Sequence, residues 1–242
     1  MGNSPGSAHA VTPPEGVFRP LLPVLLSCTA GYVDTAAFLA LQGLFTAHVT
    51  GNFVTLGATL IHGTTGAIGK LLALPVFCIV VAATRLASSA LTARGQRPVE
   101  SLLAVKLGLL IVACLLAVTL GPFNNGDSWP ALATGMTLVA AMAIQNTVHR
   151  IHLSAAPPST LMTGSTTQIM IDLADLLRGE TANRDGMVKR LKAMSISVAA
   201  FAVGCAAGAL LYAGVNVWCF VVPPGLAAIG IYLARNTPKS SR

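Results

Sequence analysis

Val49-Thr50-Gly51-Asn52 looks like a copy of Met162-Thr163-Gly164-Ser165, which begins 113 positions later. Each stretch follows a long apolar segment that carries a polar residue. That residue is Asp34 in the first case and the pair Gln145-Asn146 in the second. A duplicated membrane unit with a broken, polar element in each half is typical of a substrate pathway. The repeated stretch therefore indicates a class of activity without naming a substrate.

The composition indicates that the solvent of this chain is lipid. Of its 242 residues, 54% are hydrophobic and only 10% are charged, and the mean hydropathy is +0.72. A soluble domain is about 25% charged, so these few charges could not cover a water-soluble globule. The net charge of +7 does not indicate a nucleic-acid partner, because the basic residues lie at the ends of apolar segments, as membrane topology requires.

No catalytic site, metal site or cofactor is predicted. The five cysteines lie inside apolar segments without CxxC or CxxH spacing, so we interpret them as small apolar packing residues. The sequence has no Gly-x-Ser-x-Gly, His-Glu-x-x-His or Walker pattern. A membrane enzyme is therefore the least favoured of the function classes considered.

Six apolar runs are near or above the ~20 residues that a helix needs to cross the hydrocarbon core. They are 20–44, 68–93, 101–121, 130–150, 190–213 and 215–234. Two weaker stretches, 46–62 and 159–178, are interrupted by polar residues or carry one polar helical face. We interpret these two as half-helices or re-entrant segments. The predicted fold is an all-α integral membrane protein with six transmembrane helices and two such segments.

The basic residues set the predicted orientation. With six crossings, all of the 15 Lys and Arg residues except Lys70 and Arg85 fall on the cytoplasmic side. Both termini and the loops at 94–106 and 179–192 are then inside, and 121–130 is outside. The repeats 20–121 and 130–234 each make three crossings, so they are inverted relative to one another. We expect their broken elements to meet near the midplane.

The chain divides into three predicted regions. Residues 1–18 are rich in Gly, Ser, Pro and Ala, and we interpret them as a disordered tail. Residues 19–235 form a single transmembrane domain that holds both repeats. Residues 236–242 form a cytoplasmic tail.

Five short motifs carry a family resemblance. They are Gly31-Tyr32-Val33-Asp34, Gly43-x-Phe45, Thr50-Gly51-Asn52, Ala143-x-Gln145-Asn146 and Thr163-Gly164. Over residues 20–235 the chain resembles the YoaK-like family of bacterial inner-membrane proteins, which is built on a domain of unknown function. The resemblance implies a multi-pass protein of the bacterial inner (plasma) membrane and implies no substrate.

Asp34 and Arg85 are the charged candidates for the site. A carboxylate within a membrane span costs at least ~2.5–3.5 kcal/mol on insertion scales. Asp34 is either a proton carrier or cation ligand, or a buried structural partner. Arg85 could pair with Asp34, bind an anion as a substrate contact, or snorkel to the cytoplasmic side. We favour an unpaired, proton-coupling Asp34, because the corresponding position of the second repeat is already an amide, Asn146.

The two Thr-Gly elements supply most of the other candidates. Glycine permits a sharp break whose freed backbone groups can bind polar ligands, and neighbouring side chains can cap the half-helices. The alternative is a static break with a packing role. We expect His149 to be solvated at the cytoplasmic interface. The predicted substrate-binding residues are Asp34, Thr50, Gly51, Asn52, Arg85, Gln145, Asn146, Thr163, Gly164 and Ser165.

These patterns favour a small permease that moves a small polar solute or ion by alternating access between the two repeats. The alternative function is a non-transporting membrane scaffold or accessory subunit. The expected partners are the lipid bilayer, the solute and possible further copies of the chain.

Overall fold

The chain is all-helical in the part that the structure, a computed structural model, describes, namely residues 21–160, 162–179 and 183–236. The predicted tail at 1–18, and the C-terminal tail beyond Asn236, lie outside the described residues. The helices are α1 (Leu21–Ala40), α2 (Gly51–His62), α3 (Ala67–Ala93), α4 (Pro98–Leu120), α5 (Trp129–His152), α6 (Met162–Leu177), α7 (Arg184–Val215), a 3-10 helix (Asn216–Val221) and α8 (Val222–Arg235).

Five described stretches are long and apolar enough to cross a membrane: α1, α3, α4, α5 and the 52-residue stretch Arg184–Arg235. The last stretch contains α7, the 3-10 helix and α8. Asn216 ends α7 with a positive φ of 51° and a ψ of −133°, and this non-helical backbone interrupts the helix.

Helix α8 runs antiparallel to α4. Val217, just before α8, packs beside Gly121 at the end of α4. At the other end of α8, the Nε of Arg235 lies 3.6 Å from an Oε of Glu100, near the start of α4. Helix α7 therefore ends where α4 ends, and α8 returns along α4.

Helices α1 and α7 run parallel and very close together. The hydroxyls of Ser27 and Ser197 are 2.7 Å apart, and Tyr32 meets Gly208 further along both helices. A Cβ added to Gly208 would lie 2.7 Å from the Tyr32 carbonyl oxygen, and one added to Gly204 would overlap the carbonyl of Cys28. The Gly204-x3-Gly208 spacing thus permits the close approach that such motifs provide in membrane helices.

Helices α3 and α5 form a second parallel pair. Gly69 packs near Leu132 at the start of both helices, and Ser88 Oγ lies 2.8 Å from His152 Nε2 near their ends. Helices α1, α4 and α7 therefore run in one direction, and α3, α5 and α8 run in the other. We call the end with Arg94, Arg97, Arg150 and Arg235 the basic end, and the end with the 121–128 loop the neutral end.

The two weak stretches form short helices that return toward opposite ends of the bundle. Helix α2 has 12 residues, or about 18 Å, too short for a hydrocarbon core of about 30 Å. Its last turn meets α3 at the neutral end, where Lys70 Nζ donates to Thr59 Oγ1. Helix α6 leads to the basic end, where Arg190 of α7 binds Asp172.

The sequence pattern had indicated that Lys106 belongs to the basic loop at 94–106. In the structure it does not. Helix α4 starts at Pro98, which occupies the first turn, where proline is favoured. Lys106 therefore lies in the third turn and is only 1% exposed. The prediction that every basic residue from 94 to 106 faces the cytoplasm was wrong for Lys106, because α4 begins eight residues earlier and Gln145 accepts a hydrogen bond from its ammonium group inside the bundle.

Candidate functional site

Asp34 binds the loop that follows its own helix. Its Oδ1 accepts hydrogen bonds from the backbone N–H groups of Thr46 and Ala47, both at 2.7 Å, and from Thr46 Oγ1 at 3.1 Å. Its Oδ2 accepts from the backbone N–H of His48 at 3.2 Å and lies 2.6 Å from Nδ1 of that ring. The carboxylate is 3% exposed. Asp34 thus holds residues 46–48 inside the bundle.

The pairing of Asp34 with Arg85 that the sequence left open is not present. Every hydrogen bond of the Asp34 carboxylate goes to residues 46–48, and Arg85 is exposed. The favoured alternative, an unpaired carboxylate, does not describe Asp34 either. A free carboxylate at this depth would be costly, and the backbone of the broken segment removes that cost.

His48 joins the two broken segments. These are residues 41–50, between α1 and α2, and residues 153–160, between α5 and α6. The Nδ1 atom of His48 lies 2.6 Å from the Asp34 carboxylate, which anchors the ring. The ring also meets the backbone of Thr160 in the second broken segment and lies edge-on to Phe201 of α7, with centroids 5.2 Å apart. Its side chain keeps 31% exposure, so His48 is both anchored and accessible.

Asn146 makes the second link between the broken segments. Its Nδ2 donates to the carbonyl of Ala47 at 3.4 Å, and its Oδ1 accepts from Thr160 Oγ1 at 2.7 Å. The amide supplies a donor to one segment and an acceptor to the other. Asp34 and Asn146 therefore hold corresponding loops with different chemistry.

The first Thr-Gly-Asn element shapes its own loop. Asn52 Oδ1 accepts from the backbone N–H of Phe45 at 2.9 Å, and its Nδ2 donates to the Phe45 carbonyl at 2.8 Å. A Cβ on Gly51 would come within 3.0 Å of the Phe45 ring. Thr50 precedes α2, but its side chain makes no capping hydrogen bond. The capping expected of Thr50 is therefore absent, and its hydroxyl faces the cavity described below.

Gln145 belongs to a polar cluster behind the second broken segment. Its Oε1 accepts from Lys106 Nζ at 2.5 Å, and its Nε2 donates to the Leu26 carbonyl at 2.9 Å and to Ser159 Oγ at 3.5 Å. Both Gln145 and Lys106 are almost completely buried. Gln145 therefore ties α1, α4 and the second broken segment together.

The second Thr-Gly element lies apart from this cluster. Thr163 and Gly164 are exposed in the first turn of α6, on a shallow depression that residues of α6 alone line. Ser165 is buried, and its hydroxyl has no hydrogen-bond partner in the described part of the chain. The structure thus brings Asp34, Thr50 and Asn146 together and leaves Thr163 and Gly164 outside.

A cavity of about 620 Å³ lies between the two broken segments, α3 and α5. Its floor includes Ala47–Thr50 and Ser159-Thr160, and one wall runs along α3 from Leu74 to Arg85. Those eleven helical steps correspond to about 16 Å. Of its exposed lining residues, Arg85, Arg150 and Ser154 lie toward the basic end. The cavity is therefore long, partly polar and accessible from that end.

The charged groups that line this cavity are basic. Arg85 and Arg150 line it, and none of its lining residues is Asp or Glu. The ion pairs found among the described residues do not involve either arginine. The Asp34 carboxylate lies behind His48 and is occupied by the 46–48 backbone. The cavity thus presents positive charge without a matching acid.

His149 is buried in the cavity wall, and the expectation of a solvated histidine was wrong. The residue is 4% exposed, and neither ring nitrogen makes a hydrogen bond within the described residues. The backbones of Ala156 and Pro157 approach the ring without reaching hydrogen-bond geometry. His149 lies close to the end of its apolar run, which favoured a solvated position, but residues 153–160 fold back over the helix end and bury it.

Three residues of the site were not predicted: His48, His149 and Lys106. For His48 a signal existed, since a histidine lies inside the broken stretch 46–52. For Lys106 the signal was a cation followed by an uninterrupted apolar run. Neither pattern indicates which partner the side chain meets.

Comparisons with known proteins identify a family for this chain and a transmembrane relative. The profile of a family described as "Protein of unknown function (DUF1275)" matches residues 22–233. The chain is similar to the "UPF0700 transmembrane protein YoaK" of Bacillus subtilis, with 29% identity over 204 residues that cover 78% of this chain and 84% of the relative. No solved structure matches the chain.

Proposed function

We propose, from the premise that this chain belongs to the DUF1275 family of proteins of unknown function, that it is a small multi-pass membrane permease. It binds a small polar solute in the cavity between the two broken segments and exposes it alternately to the two sides of the membrane. The observation that carries this proposal is a 620 Å³ cavity inside a bundle of membrane helices, floored by both interrupted segments. Sites of this volume hold small molecules.

The proposed topology has six crossings, by α1, α3, α4, α5, α7 and α8, in two inverted units. Two features support it: the parallel pairs α1–α7 and α3–α5, and the opposite ends to which α2 and α6 lead. Asp34 lies six residues before the end of α1, and Asn146 lies six residues before the end of α5. Each binds the segment that follows its own helix, as two related halves would.

The proposed orientation has the basic end in the cytoplasm of a bacterial inner membrane, with both termini on that side. It rests on the asymmetry of basic residues between the two ends. The loop at 121–128 has no Lys or Arg, whereas Arg94, Arg97, Arg150 and Arg235 lie at the other end. This orientation makes the cavity inward-open.

Polar contacts close the neutral end. Lys70 Nζ donates to the Gln42 carbonyl at 2.6 Å and to Thr59 Oγ1 at 2.8 Å. The Asp127 carboxylate accepts from the backbone N–H groups of Gly66 and Ile68, both at 2.8 Å. We call these contacts the neutral-end closure. A carrier needs such a closure that can open when the other end closes.

A cysteine at Val49 tests the inward-open cavity. Val49 lies on the cavity floor, whereas Ala73 is fully buried in the core. With the five native cysteines replaced, a membrane-impermeant thiol reagent should label Val49→Cys in inside-out vesicles and leave Ala73→Cys unlabelled. Absence of labelling at position 49 from the basic side would overturn the proposed site.

Uptake by purified protein in vesicles tests transport itself. A panel of radiolabelled small polar solutes, offered with and without a pH gradient, should include at least one that enters faster than into empty vesicles. Thr50→Val, which removes a cavity hydroxyl, should reduce this uptake. A protein with an accessible cavity that moves no solute would instead fit the scaffold or accessory role.

A further inference from the structure

We infer that the cavity selects anions, and that its solute is a small molecule bearing a carboxylate or another anionic group. This inference rests on the proposed function and specifies the substrate class of the same site. It also assigns Arg85 and Arg150 as the residues that set this selectivity.

The first argument for an anionic solute is the positive charge of the cavity lining. Arg85 comes from α3 and Arg150 from α5, so two separate helices bring guanidinium groups to one cavity. Guanidinium groups match carboxylate geometry, in which two parallel N–H groups meet two oxygens. With no acidic residue among the lining residues, an anion would remove the uncompensated charge and a cation would add to it.

The second argument is the unpartnered imidazole of His149. Its side chain lies in the cavity wall and is almost completely buried, and neither ring nitrogen has a hydrogen-bond partner in the described chain. An unsatisfied buried polar group is destabilising, and a bound solute with an acceptor oxygen would relieve that cost. The imidazole can donate a hydrogen bond to such an oxygen.

The third argument is that the floor of the cavity is polar but has no acidic group. Helix α2 starts at Gly51, and Thr50 at its N-terminus lines the cavity. The first three N–H groups of α2 are already bonded to the carbonyls of residues 48–50, so this end of α2 offers the positive end of its dipole and no free backbone donor. The hydroxyl of Thr50 and the amide of Asn146 are neutral, so the floor adds polarity but no acid.

A soluble anion fits this cavity better than a lipid phosphate. The lining extends from Arg85 past His149 to Leu74 and to the floor at Val49. A lipid headgroup held by the exposed arginines would occupy only the mouth. The unpartnered imidazole of His149 and the inner part of the cavity would remain unused.

Charge-matched thiol reagents test the inference. A methanethiosulfonate reagent that carries a sulfonate and one that carries trimethylammonium are compared at Val49→Cys in inside-out vesicles of neutral phosphatidylcholine. Gln96→Cys, on the exposed loop after α3, normalises both rates. We expect the sulfonate reagent to be preferred at position 49, and Arg85→Gln or Arg150→Gln each to reduce this preference by roughly fivefold or more.

Matched variants keep the test specific. Arg94→Gln removes an exposed charge outside the cavity and should leave the preference unchanged. Arg85→Lys keeps the charge and should retain most of the preference, even if Arg85→Gln proves poorly folded. Labelling at position 49 without charge preference would overturn the anion inference while leaving the proposed permease intact. No labelling at all would overturn the proposed function itself.

A second set of vesicles distinguishes a soluble anionic solute from a lipid phosphate. The same rates are measured in vesicles that also contain phosphatidylglycerol. A preference that survives after normalisation to Gln96→Cys supports a soluble anion. Loss of that preference at position 49 alone means that lipid phosphate occupies the arginines, and it overturns the assignment of a solute.

Discussion

Asp34 acts through the backbone of the segment that follows it. Its two oxygens receive three backbone N–H groups, one hydroxyl and one imidazole. These donors come from a segment that would otherwise expose unpaired N–H groups inside a membrane protein, where each would be costly. The carboxylate is therefore a structural acceptor, and Ala47 and His48 are the parts of this cluster that reach the cavity.

Asp34→Asn is expected to destabilise the protein by about 1–3 kcal/mol, the cost of leaving a buried donor unsatisfied. Asparagine has an NH2 group where aspartate has its second acceptor oxygen. That NH2 group would face a backbone N–H or the His48 ring, so a buried donor of residues 46–48 would lose its acceptor. Thermal unfolding in detergent measures the effect. Asp175→Asn is the control, because Asp175 makes no ion pair among the described residues. Equal midpoints for the two variants would contradict the structural role.

At the scale of helices, the contact between α1 and α7 depends on the absence of side chains. Gly31, Gly204 and Gly208 face the backbone of the opposite helix. Gly204 and Gly208 are one turn apart on α7, so they lie on the same face of that helix. This contact holds α7 against the helix that carries Asp34, and Phe201 of α7 meets the His48 ring.

Gly204→Ala is expected to lower the unfolding free energy by about 1–3 kcal/mol, because the new methyl group would overlap the Cys28 carbonyl and push the helices apart. Gly214→Ala is the matched control on the same helix. A Cβ at Gly214 meets nothing within 4 Å, so this change should be neutral or slightly stabilising. Thermal unfolding of both variants gives the comparison, and a smaller effect at position 204 than at 214 would be inconsistent with this packing.

At the scale of the whole molecule, the two ends of the bundle differ. The basic end gives access to the cavity, whereas Lys70 and Asp127 tie loops together at the neutral end. Lys70 is 4% exposed and donates to both the loop after α1 and the end of α2. In the proposed carrier, these few polar contacts hold the neutral end closed.

Lys70→Met is expected to expose the cavity to the second side. Losing two hydrogen bonds from a charged donor, each worth about 1.5–3 kcal/mol, should raise labelling of Val49→Cys from the neutral side by roughly tenfold or more. Right-side-out vesicles and an impermeant thiol reagent measure it. Lys189→Met, at an exposed position of α7, is the control. Unchanged labelling from the neutral side would show that Lys70 does not hold the closure.

The sequence by itself determined the membrane class, the apolar spans and the two interruptions. These are local properties: the length of an apolar run decides whether a helix can cross lipid, and Thr-Gly elements between such runs indicate where a helix breaks. The predicted half-helices at 46–62 and 159–178 correspond to α2 and α6 for this reason. Asp34, Thr50 and Asn146 were also recognised, because polar residues are conspicuous among apolar ones.

Only the tertiary structure decided which polar groups meet. The partner of Asp34, the burial of His149 and the contact of Lys106 with Gln145 depend on how each helix is rotated about its axis and on how residues 41–50 and 153–160 fold back. Sequence spacing defines the faces of one helix, but it does not define which face of a neighbouring helix lies opposite. The cavity exists only because both broken segments, α3 and α5 come together, so neither its volume nor its positive lining could be read from any single stretch of the chain.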